Sequence, residues 1–363
     1  MKNFFIALAM VAMVATSCSK DSAPNVSGPQ KSVKFSLENV ISTRSWDGMI
    51  SATKVQLNDC QVFFVGADGS LYTGKNSDGT ADAAQYFTSV PSGPVSFHFL
   101  PPAVQKVVVV GNYGSEIKNL ANLNAIKAIT AEASTQQDDE NLLVYGEAEL
   151  VATTDDGHGN TYVAEVSVNP LVARIEIGGF ECEFSETPKF DRVDITMMAL
   201  NNYYTEAKIG EVIGGKYNDA YYSSTAIMSS SVYPFFNDTT APAYSKDVIA
   251  NVSLTPESPY VDFEQTDNGY LVYHTFAGDI PQLVVRIAGY KDGVEFPLYL
   301  ATSSFYDDAT KIESFEAGSV YRMKFNDKNR FAFSDDDLDQ PEKCVSVSIE
   351  SAKWVVVNVT PEF

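Results

Sequence analysis

Apolar and polar residues alternate with a period of two in one short segment after another. Val33-Lys34-Phe35-Ser36-Leu37 is such a segment, and this alternation predicts a strand with one face on a core. Cys60-Gln61-Val62-Phe63-Phe64-Val65 runs into Gly66-Ala67-Asp68-Gly69 and resumes at Leu71-Tyr72, which predicts a hairpin. Val95-Ser96-Phe97-His98-Phe99 alternates again and sets His98 opposite an aromatic face. Residues 106–110, Lys106 followed by four valines, suit a strand buried on both sides. Further strands are predicted over 142–146, 162–168, 172–178, 193–199, 270–276, 283–290 and 320–325.

One stretch departs from this rhythm. Ile117, Leu120, Leu123, Ile126 and Ile129 recur every three residues, close to the helical period, so one amphipathic helix is expected between Ser115 and Ala133. Ser115 can cap it and Glu116 suits its first turn. Such a helix among strands is expected to lie as a lid on one sheet face. A turn at Asn169-Pro170 divides the strands into two sets. The expected fold is all-β: two tandem β-sandwich domains, 45–170 and 171–363, with the one short amphipathic helix in the first.

The opening of the chain has a different character. Lys2 precedes an apolar run from Phe4 to Val14, which is too short to span a bilayer and reads as a secretory signal over 1–17. It closes on Ala15-Thr16-Ser17-Cys18, which resembles a lipobox, so Cys18 is the expected site of lipidation (palmitate among the acyl chains). More than one acyl chain gives durable attachment where a single chain binds marginally. Ser19 to Pro24 with Gly28-Pro29 then read as a disordered tether, and the chain after Cys18 is expected outside the cytoplasm.

With 363 residues, 45 % of them hydrophobic and 12 % aromatic, the chain can bury two substantial cores. Its formal charge of −22 argues against nucleic acid as a partner. Beyond Cys18 the cysteines are Cys60, Cys182 and Cys344, none of them paired at metal-ligand spacing, so buried inert thiols are expected. The histidines are His98, His158 and His274, and no HExxH, G-x-S-x-G, P-loop or dinucleotide fingerprint occurs. No catalytic residue, cofactor or metal site is expected. The acidic run at 335–339 lacks the Gly and Glu of a calcium loop and reads as a solvated linker.

The end of the chain alternates once more. Val345, Val347 and Ile349 share one parity, and after Glu350-Ser351-Ala352-Lys353 the pattern resumes at Trp354, Val355, Val357 and Val359. Residues 344–349 suit a last strand closing their own domain. Apolar surface at a terminus is a hazard unless it pairs, and the 350–363 tail is equally suited to joining a sheet edge of another molecule.

Taken in order along the chain, several segments resemble the fimbrillin family, the major shaft subunits of type V pili in Gram-negative anaerobes. They are the lipobox at Cys18, Val108-Val109-Val110-Gly111-Asn112-Tyr113, Val144-Tyr145-Gly146-Glu147, Ala173-Arg174-Ile175-Glu176-Ile177 with Phe180, and Asn201-Asn202-Tyr203-Tyr204. Gly318-Ser319-Val320-Tyr321-Arg322, Trp354-Val355-Val356-Val357 and Pro361-Glu362-Phe363 complete the set. The resemblance implies transthyretin-like sandwiches and maturation by an Arg-specific protease. The matching bond is Arg44-Ser45, in a polar loop ending at Gly48. Cleavage there removes residues 18–44, the lipidated tether with the strand Val33 to Val40, from a subunit expected at the outer membrane and cell surface, and leaves 20 basic against 45 acidic residues, a charge of −25. The implied partners are other fimbrial subunits, joined head to tail as a homopolymer through Trp354, Val355, Val357 and Val359 as a donor strand.

Three functions are in play. The first is a structural pilin of the shaft that supports cell adhesion. The second is a tip or accessory adhesin, which has no need of a donor-like tail. The third is a surface glycan-binding lipoprotein, which the 19 tyrosines would serve better than the two tryptophans. An enzyme is not expected.

Overall fold

A computed structural model describes residues 29–37, 54–153, 161–209, 211–216, 242–263, 271–307, 309–323, 330–332, 342–353 and 355–358. It begins with β1 (Lys31–Leu37), β2 (Lys54–Leu57), β3 (Cys60–Gly66), β4 (Leu71–Tyr72) and β5 (Tyr86–Phe87). It continues through β6 (Val95–Leu100), β7 (Val104–Gly111), the helix α1 (Leu123–Lys127), β8 (Thr130–Glu132), β9 (Val144–Glu149) and β10 (Val151–Ala152). Next come β11 (Thr161–Val166), β12 (Asn169–Pro170), β13 (Val172–Ile177), β14 (Gly179–Glu183), β15 (Arg192–Asn201), β16 (Tyr204–Lys208) and β17 (Glu211–Lys216). The later strands are β18 (Lys246–Leu254), β19 (Tyr260–Asp262), β20 (Leu271–Phe276), β21 (Gln282–Lys291) and β22 (Val294–Asp307). The last are β23 (Thr310–Ile312), β24 (Ser319–Met323), β25 (Arg330–Ala332), β26 (Glu342–Lys353) and β27 (Val355–Asn358).

The fold is all-β, with two stacked-sheet cores. In the first, the sheet β10-β11-β1-β6 faces the sheet β12-β9-β7-β3-β4, with β5 beside β3. Val33, Phe35, Phe97, Ala164 and Val166 from one sheet meet Val62, Phe64, Val107 and Val109 from the other. Four consecutive valines form residues 107–110 of β7, as β-branched side chains favour a strand packed on both faces. In the second core Ile195, Ile287 and Leu298 meet Ile175, Ile177, Tyr273 and Tyr321.

One strand serves two sheets there. Residues 342–349 of β26 run parallel to β22, and residues 350–353 run antiparallel to β24. The resulting path is β18-β15-β21-β22-β26-β24-β13-β20. The hairpin β16–β17 forms a separate sheet with β8, so a strand of the second half adds to one of the first.

Two expectations need correction. The helix is five residues long, not a span from Ser115 to Ala133, and its cap is Asn122, whose Oδ1 accepts the amide of Ala125 at 3.0 Å. Asn119 sits at φ +59 and breaks any helix before it, while Thr130 already belongs to β8. Ile126 still plugs the first core. Second, Phe99 does not share the face of Phe97: it is 40 % exposed, with φ +56. The register slips by one residue between β1 and β6, pairing Lys31 with Leu100 but Val33 with Phe97, so Leu100 turns inward instead.

The Tyr145-Gly146-Glu147 segment has a packing explanation. A Cβ on Gly146 would overlap the carbonyl of Ser167. Glu147 accepts Lys127 Nζ at 2.8 Å, Lys106 Nζ at 2.9 Å and the Tyr145 hydroxyl. Burial pushes the Glu147 carboxyl up, but these three donors outweigh it and bring the pKa from 4.5 down to about 2. The substitution Gly146→Ala is expected to cost about 1–3 kcal/mol, read as a lowered unfolding midpoint in denaturant. Glu147 contributes its stabilisation fully above pH 4.5 and loses it as pH falls towards 2. A Glu147→Gln chain is therefore expected to show a shallower loss of thermal stability across that window.

Candidate assembly site

The strand that the sequence marks for removal occupies an interior place. β1 is paired on one side in parallel with β11, from Ser32↔Thr161 to Leu37↔Val166, and on the other antiparallel with β6. Val33 and Phe35 are each 1 % exposed, inside the first core. The first residues of the strand are tied down as well. Lys31 donates to the Val104 carbonyl at 2.6 Å and lies 4.7 Å over the Tyr162 ring. Burial holds its ammonium below the usual lysine range. Ser32 Oγ is 3.1 Å from Nδ1 of His98. Loss of β1 would leave two facing sheet edges without partners and an apolar groove lined by Phe97, Ala164 and Val166.

The tail takes a second place. β27 lies parallel to β2 of its own chain, with Val355 opposite Lys54 and Val357 opposite Gln56. β2 is itself held in a cradle. Asn112, at φ +58, accepts the amide of Asn58 at 2.8 Å and donates to the carbonyls of Gln56 at 2.7 Å and Leu142 at 2.9 Å. Asn tolerates that left-handed backbone better than most residues. Gly111 before it leaves room for Leu57, which a Cβ would strike, and a Cβ would also lie 2.8 Å from Val144 Cγ2. The Gly111-Asn112 pair thus seats the strand on which the tail rests.

Between the two cores is a buried set of charges. Even-numbered residues of β13 turn away from the second core, and the register sets Arg174 beside His274 on β20 and Glu176 beside Arg322 on β24. Glu176 is fully buried and accepts Arg174 Nε and Arg322 Nε at 2.7 Å each, and its carboxylate forms an ion pair with Arg322 Nη2 at 2.6 Å. The loop before β9 completes the set. Asp139 accepts Arg174 Nη1 and approaches His274 Nε2 at 3.1 Å, while His274 Nδ1 donates to the Gln136 carbonyl at 2.9 Å. Burial opposes ionisation of Asp139, but His274 and Arg174 prevail and hold its carboxyl below the usual range. The Asp139 carbonyl also accepts the amide of Gln56 at 3.2 Å. One residue therefore touches both the charge cluster and the strand under the tail.

Of the residues singled out in the sequence, Val355 and Val357 lie in β27. Cys18, Arg44, Ser45, Trp354 and Val359 lie outside the described residues, as does the acidic run at 335–339. Cys60 and Cys182 are both buried, and burial together with the charge of Asp59 pushes the Cys60 thiol up to about 12, so that thiol is unreactive. The hydrophobic pattern reveals neither β2 nor the ionic cluster. The available signal for the latter was Arg174 and Glu176, opposite charges two apart inside an otherwise apolar strand, with Arg322 in a second such strand.

Removing one partner of a buried pair leaves the other charge uncompensated. Glu176→Gln is expected to lower stability by about 3–5 kcal/mol in equilibrium denaturation. Asp139→Asn should cost less and should remove part of the stability loss seen below about pH 4, because the depressed carboxyl contributes only while ionised.

No family model and no curated relative matches the chain. Among solved structures it is similar to a candidate cell adhesion protein of Bacteroides eggerthii, with a TM-score of 0.54 and 14 % identity over 93 % of this chain and 100 % of that one. It is also similar to a candidate cell adhesion protein of Parabacteroides distasonis, with a TM-score of 0.52 and 12 % identity over 91 % of this chain and 98 % of that one. A fimbrilin of Porphyromonas gingivalis matches with a TM-score of 0.49 and 14 % identity over 91 % and 99 %. The chain has the fold of the first two proteins, along essentially the whole length of each.

Proposed function

We propose that the chain is a structural subunit of a type V fimbria, exported as a lipoprotein through Cys18 and polymerised by donor-strand exchange after cleavage at Arg44-Ser45. The observation that carries this reading is the place of β1: a strand paired on both edges, buried at Val33 and Phe35, and next in the chain to the proposed cleavage loop. A permanently anchored tether has no need to supply a central strand. A removable one does, because its departure creates a site for the tail of another subunit, residues 354 to 360. The same event discards the lipid, so release from the outer membrane and opening of the groove are one step. The same reading divides the chain at Asn169-Pro170 into the units 45–170 and 171–363. Cell adhesion is carried over from the names of the two proteins that share the fold, and a structural role without enzymatic activity goes with it.

Purified precursor treated with an Arg-specific protease is expected to form ladders on non-denaturing gels. Arg44→Ala should remain monomeric, and so should a chain truncated before Trp354 even after cleavage. Ladders from the truncated chain, or none from the cleaved full chain, would sink the donor-strand reading.

A further inference from the structure

We infer that the pairing of β27 with β2 is an autoinhibitory contact, which holds the tail on its own chain and must break before the same residues fill another subunit's groove. The inference rests on the proposed donor-strand assembly and adds a regulatory step to it.

The argument begins with backbone edges. One edge of β2 is taken up by its own half of the chain: Gln56 uses its amide on Asp139 and its carbonyl on Asn112, and Asn58 uses its amide on Asn112. Successive residues of a strand turn their backbone groups to opposite sides. Val55 and Leu57 therefore present theirs to the other edge, where β27 lies in register from Lys54↔Val355 to Leu57↔Asn358. The groove left by β1 makes a different demand, since its occupant is bonded to β11 on one side and to β6 on the other. A strand seated there has no edge left for β2. Residues 355–358 thus occupy one place or the other.

The two places also differ in what favours them. Pairing with β2 is intramolecular, so it enjoys a high effective concentration. The groove offers more per occupant: β1 pairs with β11 from Ser32 to Leu37 and buries two core side chains, against four residues along a single edge for β27. While β1 fills every groove, the tail has only its own β2. Once cleavage opens grooves, the deeper site wins. The contact with β2 is a hold that keeps the apolar tail from pairing with other edges beforehand. The hold is firm because β2 is fixed by Asn112 and by Asp139, which the charge cluster anchors in turn.

A disulfide across the register tests this. Gln56 and Val357 are opposed, and neighbouring strands at about 4.8 Å fall within the span a disulfide can bridge. The chain Gln56→Cys/Val357→Cys is made in a Cys18→Ser parent, oxidised, and cut with an Arg-specific protease. The oxidised form is expected to be cleaved yet to stay monomeric, and reductant should restore ladders at the parent's rate, which also shows that the variant folds. Ladders from the oxidised form at the parent's rate, or failure of the pair to cross-link, would overturn the inference while leaving the assembly reading intact. A cleaved parent that never polymerises would overturn the assembly reading itself.

Discussion

A strand with neighbours on both sides cannot leave a sheet quietly. β1 is paired with β11 from Ser32 to Leu37 and with β6 between Lys31 and Phe35, and Val33 and Phe35 fill space between the two sheets of the first core. Unpaired backbone groups in an apolar groove cost far more than the same groups in water. The proposed assembly depends on that constraint. In that proposal the subunit is complete only with some strand in the central position, and the identity of that strand is what would change between a monomer at the membrane and a member of a filament.

The charge cluster between the two cores poses a different problem. Arg174, Glu176, Arg322 and His274 are taken out of water and Asp139 is partly so, and a well-packed apolar set of equal volume is often at least as stable. What the charges add is geometry. A carboxylate that accepts two guanidinium groups fixes both in direction as apolar contact does not. Asp139 belongs to the half of the chain that carries β2, whereas its partners lie on strands of the second half. The strand beneath the tail is thereby placed relative to β24, from which the tail departs.

The readable parts of the sequence were those governed by local periodicity. β1, β3, β7 and β13 emerged as strands because alternation or a run of valines leaves no other economical packing. The helix was overextended because a spacing of three imitates the helical period, while Asn119 and Asn122 carry their information in backbone angles that no apolar pattern reveals. Phe99 was misplaced by a bulge, which inserts a residue without a mark in the alternation. β2 is silent in the alternation for a further reason. Lys54-Val55-Gln56-Leu57 is short, and its strand character comes from Asn112, Asp139 and β27, all distant in sequence. The Arg174–Glu176 pair looks in sequence like an outward polar face. It is an outward face, but of a sheet that the other half of the chain covers.

The double allegiance of β26 has a mechanical meaning. It is parallel to β22 along residues 342–349, antiparallel to β24 along 350–353, and continues into β27. In a filament joined through the tail, a pull on the joint enters the subunit along the axis of β26. Hydrogen bonds that lie across the direction of pull share the load as a group, whereas bonds peeled from one end break singly. Tension on such a fibre would be met in shear by both partners of β26, so the strand that leads into the tail is held by two neighbours within its own subunit.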